Sequence, residues 1–263
     1  MSSRQQDMFE NPVARARELK ARRRYEEAQK VLQAALARDP GDMRAQASLA
    51  DLYYRTRRYR QAMTLAGAIL SRDPDEPRAL VVMGNVLLQR KKPKEALEYF
   101  RLALSVAETD YLWLRAARCH LELKQPEEAR EALAKAESFD AGGRELFRLQ
   151  AKAASALDDP EAESRAFRHA ARAAPGDPEG FSAWLLPMLS DLPPRKAIHQ
   201  SQKLREVKGQ ELNPYLLLFE AKSFLQKRDH PGALKLLLLL LDSDPPAEIL
   251  KEAQALKTKA ERG

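Results

Sequence analysis

A 34-residue period runs through the first half of the chain. It separates Tyr25 from Tyr59 and Pro40 from Pro74, and it links Ala28, Ala62 and Ala96. A period of this length marks a supersecondary unit that cannot cover its own apolar face, so neighbouring units must stack. The clearest unit is Pro77–Leu104. Its first half carries Leu80, Met83, Gly84 and Leu87 at helical spacing. A polar turn follows at Gln89–Lys92, and a second helix opens at Pro93 with Ala96, Phe100, Ala103 and Leu104 on one side. The tetrads YEEA (Tyr25–Ala28), YRQA (Tyr59–Ala62), PKEA (Pro93–Ala96) and PEEA (Pro126–Ala129) repeat the opening of that second helix. Their alanines mark a close helix crossing, where added bulk costs about 1–3 kcal/mol.

On these residues the chain resembles the tetratricopeptide repeat (TPR) family from about Phe9 to Pro246. The resemblance implies an all-α, right-handed α-solenoid of about seven helix-turn-helix repeats. Their expected positions are near 9–42, 43–76, 77–109, 110–143, 144–177, 178–213 and 214–246, after an N-terminal arm at 1–8. Residues 247–263 read as the capping helix that an open stack requires, with Ile249, Leu250, Ala253 and Leu256 on one side. Asn11-Pro12, Asp177-Pro178 and Asn213-Pro214 are N-cap and N1 pairs that open repeats one, six and seven. Repeat five places Glu163 where a small residue is expected. Repeat six should break the regularity, because Pro187 removes a hydrogen bond inside a helix and kinks or splits it, and Pro193-Pro194 follows. The run Leu236–Leu241 is apolar on every side, as for a helix covered by its partner and the cap.

Composition bounds the function. Apolar residues make up 44% and aromatics 6%, enough for a core of Leu and Ala. The single cysteine, Cys119, excludes an intrachain disulfide and fits a reducing compartment. The first ten residues show no apolar h-region, and Leu236–Leu241 is too short to span a bilayer, so a cytoplasmic location is expected. His120, His169, His199 and His230 lie in different repeats without ligand spacing, and phosphate-loop and nucleophile-elbow motifs are absent. No metal, cofactor or enzymatic activity is therefore expected.

Two surfaces are candidates for binding. The formal charge of +7 is concentrated in residues 1–60, which hold 14 basic against 8 acidic side chains. The turns inside repeats one to three carry Arg22, Arg23 and Arg24, then Arg57 and Arg58, then Arg90, Lys91 and Lys92. Cations at helix C-termini complement the macrodipole by about 0.3–1 kcal/mol each. Stacked at one period they also form a ridge that could meet nucleic acid or an anionic membrane surface. The second surface follows from the family resemblance, which implies a concave groove lined by the first helices and holding a peptide. In this register the lining includes Arg17, Arg44, Tyr54, Arg78, Asn85, Leu88, Tyr111, Arg118 and Leu121. Val13, Ala47 and Val81 stand where a dicarboxylate clamp for acidic chaperone tails needs polar residues. The primary expectation is a non-enzymatic scaffold that grips a protein segment in this groove, with the basic ridge as the alternative.

Overall fold

The computed structural model describes residues 11–139 and 143–262, so the expected arm at 1–8 lies outside the described residues. Two compact units divide near residue 140. Among the described residues every regular element is a helix. The first unit holds four antiparallel pairs: α1 (Pro12–Ala21) with α2 (Tyr25–Arg38), α3 (Met43–Arg55) with α4 (Tyr59–Leu70), α5 (Pro77–Gln89) with α6 (Pro93–Val106), and α7 (Asp110–Glu122) with α8 (Pro126–Ser138). The second unit holds α9 (Arg144–Ala156) with α10 (Pro160–Ala173), α11 (Pro178–Ser190) with α12 (Pro194–Arg205), α13 (Pro214–Gln226) with α14 (His230–Asp242), and then α15 (Ala247–Glu261).

Eight of the described helices start at a side-chain cap. The Asn11 side chain accepts from the amides of Val13 and Ala14, and Asp42 does the same for Arg44 and Ala45. Glu76, Thr109, Asp159, Asp177, Asn213 and Asp229 repeat the device. Proline at the first helical position adds a fixed φ where no N–H is needed.

The turn inside each pair is three residues long, and six of the seven share one backbone form. Their middle residues, Arg23, Arg57, Lys91, Lys124, Asp158 and Arg228, have φ between 55° and 61°. The amide of the following residue bonds the carbonyl five positions back at 2.8–3.0 Å, as in Arg58 to Tyr53 and Lys92 to Leu87. The amide of the middle residue bonds three back, as in Lys91 to Leu88. This is the Schellman ending of a helix.

Repeat six is the exception, for a reason only partly foreseen. Pro187 does not split α11, which is one helix over Pro178–Ser190. A proline frees the carbonyl four residues earlier, here that of Ala183, and the Arg144 side chain donates to that oxygen at 3.3 Å. The irregularity lies instead in the next turn. Pro193 has no N–H for the bond to the carbonyl five positions back, and the residue before a proline is pushed out of the helical regions. Leu192 accordingly lacks the positive φ of its counterparts. The two helices of this repeat touch each other less than α11 touches α13.

The crossing alanines Ala28, Ala62, Ala96 and Ala129 are all fully buried, as are their counterparts Ala197 and Ala233. The leucine run of α14 is covered on one side only. Leu237 and Leu240 are buried between α13 and α15, while Leu238 and Leu239 are exposed, which corrects the expectation of an all-round sandwich. α15 buries Ala253 and Ala260 and leaves most of its polar residues in solvent, as a cap does.

The tightest approach in the first unit is between Gly84 of α5 and the buried ring of Phe100 in α6. A Cβ on Gly84 would lie 2.7 Å from that ring. Gly84→Ala is expected to destabilise the protein by about 1–3 kcal/mol, measured by urea unfolding, although alanine favours an isolated helix.

Candidate functional site

The first helices of all four pairs in the first unit share one open groove of about 510 Å³. It is lined by residues one helical turn apart: Val13, Arg17 and Lys20 of α1, Ala47 and Asp51 of α3, and Arg78 and Val81 of α5. Tyr111 and Leu112 of α7 complete the wall. Polar groups inside it are partly committed. Lys20 Nζ sits 2.6 Å from Asp51 Oδ2 and 3.2 Å from Ser48 Oγ, and Arg55 Nε reaches the same Asp51 at 3.0 Å. One carboxylate is thus shared by two cations. Arg17 and Arg78 line the same groove with exposed side chains and no acidic partner among the described residues. The result is an apolar floor of Val13, Ala47, Val81 and Leu112 under a cationic rim.

The register placed Arg17, Arg78 and Tyr111 at this groove, and they line it. Arg44 is exposed on α3 outside the lining. Two expected lining residues are not available to a partner. Leu88 is 5% exposed and belongs to the α5–α6–α7 core. Asn85 is 4% exposed and donates to Tyr111 Oη at 2.9 Å, while that hydroxyl lies 3.2 Å from Asn85 Oδ1. The later turns of α5 therefore face the neighbouring repeat, not solvent. Arg118 and Leu121 are half-buried on the last turns of α7, beyond the groove.

Tyr54 is half-buried, with its ring centroid 6.1 Å from that of Tyr59. Burial pushes its phenol above the ordinary value, and Tyr111 adds to this while Arg115 and a hydrogen bond with Gln89 oppose it. Arg115 was absent from the expected lining. Its guanidinium carbon lies 4.8 Å from the Tyr111 ring centroid, and its buried Nε has no hydrogen-bond partner. The only sequence signal for it is its place one turn after Tyr111.

The basic ridge is a set of helix endings whose charges are largely engaged. Arg22 pairs with Glu18 at 2.7 Å, Arg24 with Glu27, and Lys92 with Glu95 at 2.8 Å. Lys91 stands 3.7 Å from Glu122. Arg58 bonds Gln29 at 2.7 Å and lies 4.3 Å from the Tyr53 ring centroid. Arg23, Arg57 and Arg90 extend into solvent. Cys119 is buried, and burial pushes its thiol up to about 12. No cluster of three His, Cys, Asp or Glu suited to a metal ion occurs among the described residues. No helix among them is long and apolar enough to cross a membrane.

The tetratricopeptide repeat profile matches residues 19–85, which span the first two intra-pair turns and most of α5. That segment is similar to tetratricopeptide repeats, and the helix pairs carry the tetratricopeptide repeat fold. A second profile, that of anaphase-promoting complex, cyclosome, subunit 3, matches residues 55–136. Among solved structures the chain is similar to a chain of the APC/C hetero-tetramer Cut9–Hcn1, with a TM-score of 0.63, 14% identity and 94% of this chain covered. It spans about half of that relative, 48% of its length. A tetratricopeptide repeat protein from Parabacteroides merdae ATCC 43184 matches with a TM-score of 0.57 and 15% identity, covering 96% of this chain and 99% of the other. PilW, a type IV pilus biogenesis factor, matches at 0.58 and 18% identity, over 91% and 95% of the two chains. No curated protein sequence matches the chain.

The Asn85–Tyr111 pair joins two consecutive helix pairs across 26 residues of sequence. Tyr111→Phe removes the hydroxyl and leaves a buried amide short of its partner. It is expected to cost about 1–3 kcal/mol in thermal or urea unfolding without loss of helical content by circular dichroism.

Proposed function

We propose that this protein is a non-enzymatic interaction scaffold whose first unit holds a segment of a partner protein in the groove formed by α1, α3, α5 and α7. The observation that carries the reading is the pairing of an apolar floor with the exposed guanidinium groups of Arg17 and Arg78, which have no acidic partner among the described residues. Such a surface suits a segment that alternates apolar side chains with carboxylates. Aliphatic contacts supply affinity, and the arginines, rich in rigid donors, fix register against carboxylate oxygens. Arg115, beside Tyr111, offers a further partly desolvated donor at the edge of the same wall. The likeness to a chain from the Cut9–Hcn1 assembly is in keeping with a role in binding protein chains. The ridge of repeats one to three supports the alternative less well, since Arg22, Arg24, Lys91 and Lys92 already face acids of their own chain.

The test is recovery of the partner with the native chain, followed by calorimetry against variants. Arg17→Glu and Arg78→Glu are each expected to weaken the partner about thirtyfold, the loss of roughly 2 kcal/mol from a central contact. Helical content should stay unchanged, because both side chains are exposed. Unchanged affinity in both variants would remove the function from this groove. A steep salt dependence that disappears in Arg57→Glu combined with Lys91→Glu would transfer it to the ridge.

A further inference from the structure

The second unit carries a different kind of cleft on its other helix layer. It lies between α10 and α12, the second helices of repeats five and six, and encloses about 620 Å³, within the range of small-molecule sites. α10 contributes Arg165 and Arg168, and α12 contributes Arg195, His199 and Lys203 at successive turns. All five are in contact with the cleft, and none of them makes an ion pair or hydrogen bond among the described residues. Like charges facing one another across a cleft repel, and the acids that share this lining are Glu161 and the buried Glu163.

The inner wall of the same cleft holds a second anomaly. Glu163 occupies the crossing position that is alanine in the six other repeats, and it is only 2% exposed. Gln200, itself 4% exposed, donates to Glu163 Oε1 at 3.0 Å. Glu163 Oε2 is buried and has no hydrogen-bond partner among the described residues. The nearest cation, Lys196, stands 3.8 Å from it and is held by Asp158 at 2.9 Å and the Ser155 carbonyl at 3.3 Å. A buried carboxylate oxygen left without a donor costs stability, as does replacing the small residue. Both costs fall on residues that line the cleft with the unpaired cations.

We propose that the α10–α12 cleft binds a small molecule bearing clustered phosphates and a free hydroxyl. Arg165, Arg168, Arg195 and Lys203 receive the phosphates, and Glu163 Oε2 accepts from the hydroxyl. Arginine matches phosphate through paired N–H donors, and the carboxylate separates a sugar phosphate or nucleotide from a bare polyphosphate. The site is separate from the groove of α1, α3, α5 and α7 and does not depend on it.

ATP and pyrophosphate serve as probes, titrated calorimetrically into the full chain at low and high salt. Both are expected to bind at low salt and to weaken as salt rises. Arg165→Ala combined with Arg195→Ala should weaken both probes about tenfold or more, the loss of charge-assisted contacts. Glu163→Ala restores the residue used at the same position of the other repeats, so the fold is retained, and circular dichroism checks it. It should lower the preference for ATP over pyrophosphate about tenfold or more, the value of one hydrogen bond to a charged group. Three results overturn the proposal: no binding of either probe at low salt, affinity unchanged in the double arginine variant, or an unchanged preference in Glu163→Ala. Capture of the chain by vesicles containing phosphatidylinositol bisphosphate, with neither soluble probe bound, overturns it in favour of a lipid surface.

Discussion

An amide bonded to a carbonyl five residues behind it, across a residue of left-handed conformation, is the constraint on which the paired helices depend. It ends one helix and reverses the chain within three residues, so the next helix lies antiparallel and close enough for Ala28, Ala62, Ala96 and Ala129 to be fully enclosed. Non-glycine residues hold this conformation in six turns, at a local conformational cost that the packing of each pair must offset. Where Pro193 denies the bond, other contacts hold the repeat in place. Asn213 accepts from Ser182 at 3.0 Å and donates to Gln210 and to the Pro178 carbonyl, and Gln210 donates to the Gly176 carbonyl at 2.8 Å. Arg205 and Ser201 of α12 both donate to Glu220 of α13, a carboxylate fully removed from solvent. A charge so deeply placed is stable only because each of its oxygens has a donor. It joins repeat six to repeat seven more firmly than α11 and α12 join to one another.

What could be read from residue order was whatever repeats with a short reach. The helix starts, the intra-pair turns and the crossing alanines are set by residues within a few positions of each other, and a period of 34 exposes them. Contacts that span a repeat were not legible. The carbonyl that Pro187 frees in α11 is met by Arg144, 39 residues before it. Asn85 looks like a free lining amide until Tyr111, in the next repeat, is placed against it. The half-covered α14 follows from how little of it α13 and α15 can reach, a property of packing that composition does not carry.

The two helix layers have different chemistry. First helices in the first unit combine aliphatic side chains with isolated arginines. Second helices in the second unit set a row of cations around one buried carboxylate. A repeat fold allows this division because each position in the period is solved separately in each repeat, and the crossing and turn positions are each shared by six of the seven. Glu163 is the crossing residue that departs from alanine, and it lines the same cleft as Arg165, Arg168, Arg195 and Lys203.

Cys119 gives the chain a built-in clock. It is the single thiol, sits on α7 in the middle of the α5–α6–α7 core, and is kept protonated by its burial. A thiol reagent can reach it only when α7 parts from its neighbours, so the alkylation rate of the native protein counts those openings directly. In a stacked array, whose repeats are stabilised by the ones beside them, that rate reports how tightly the fourth repeat is held by the third without any label being introduced.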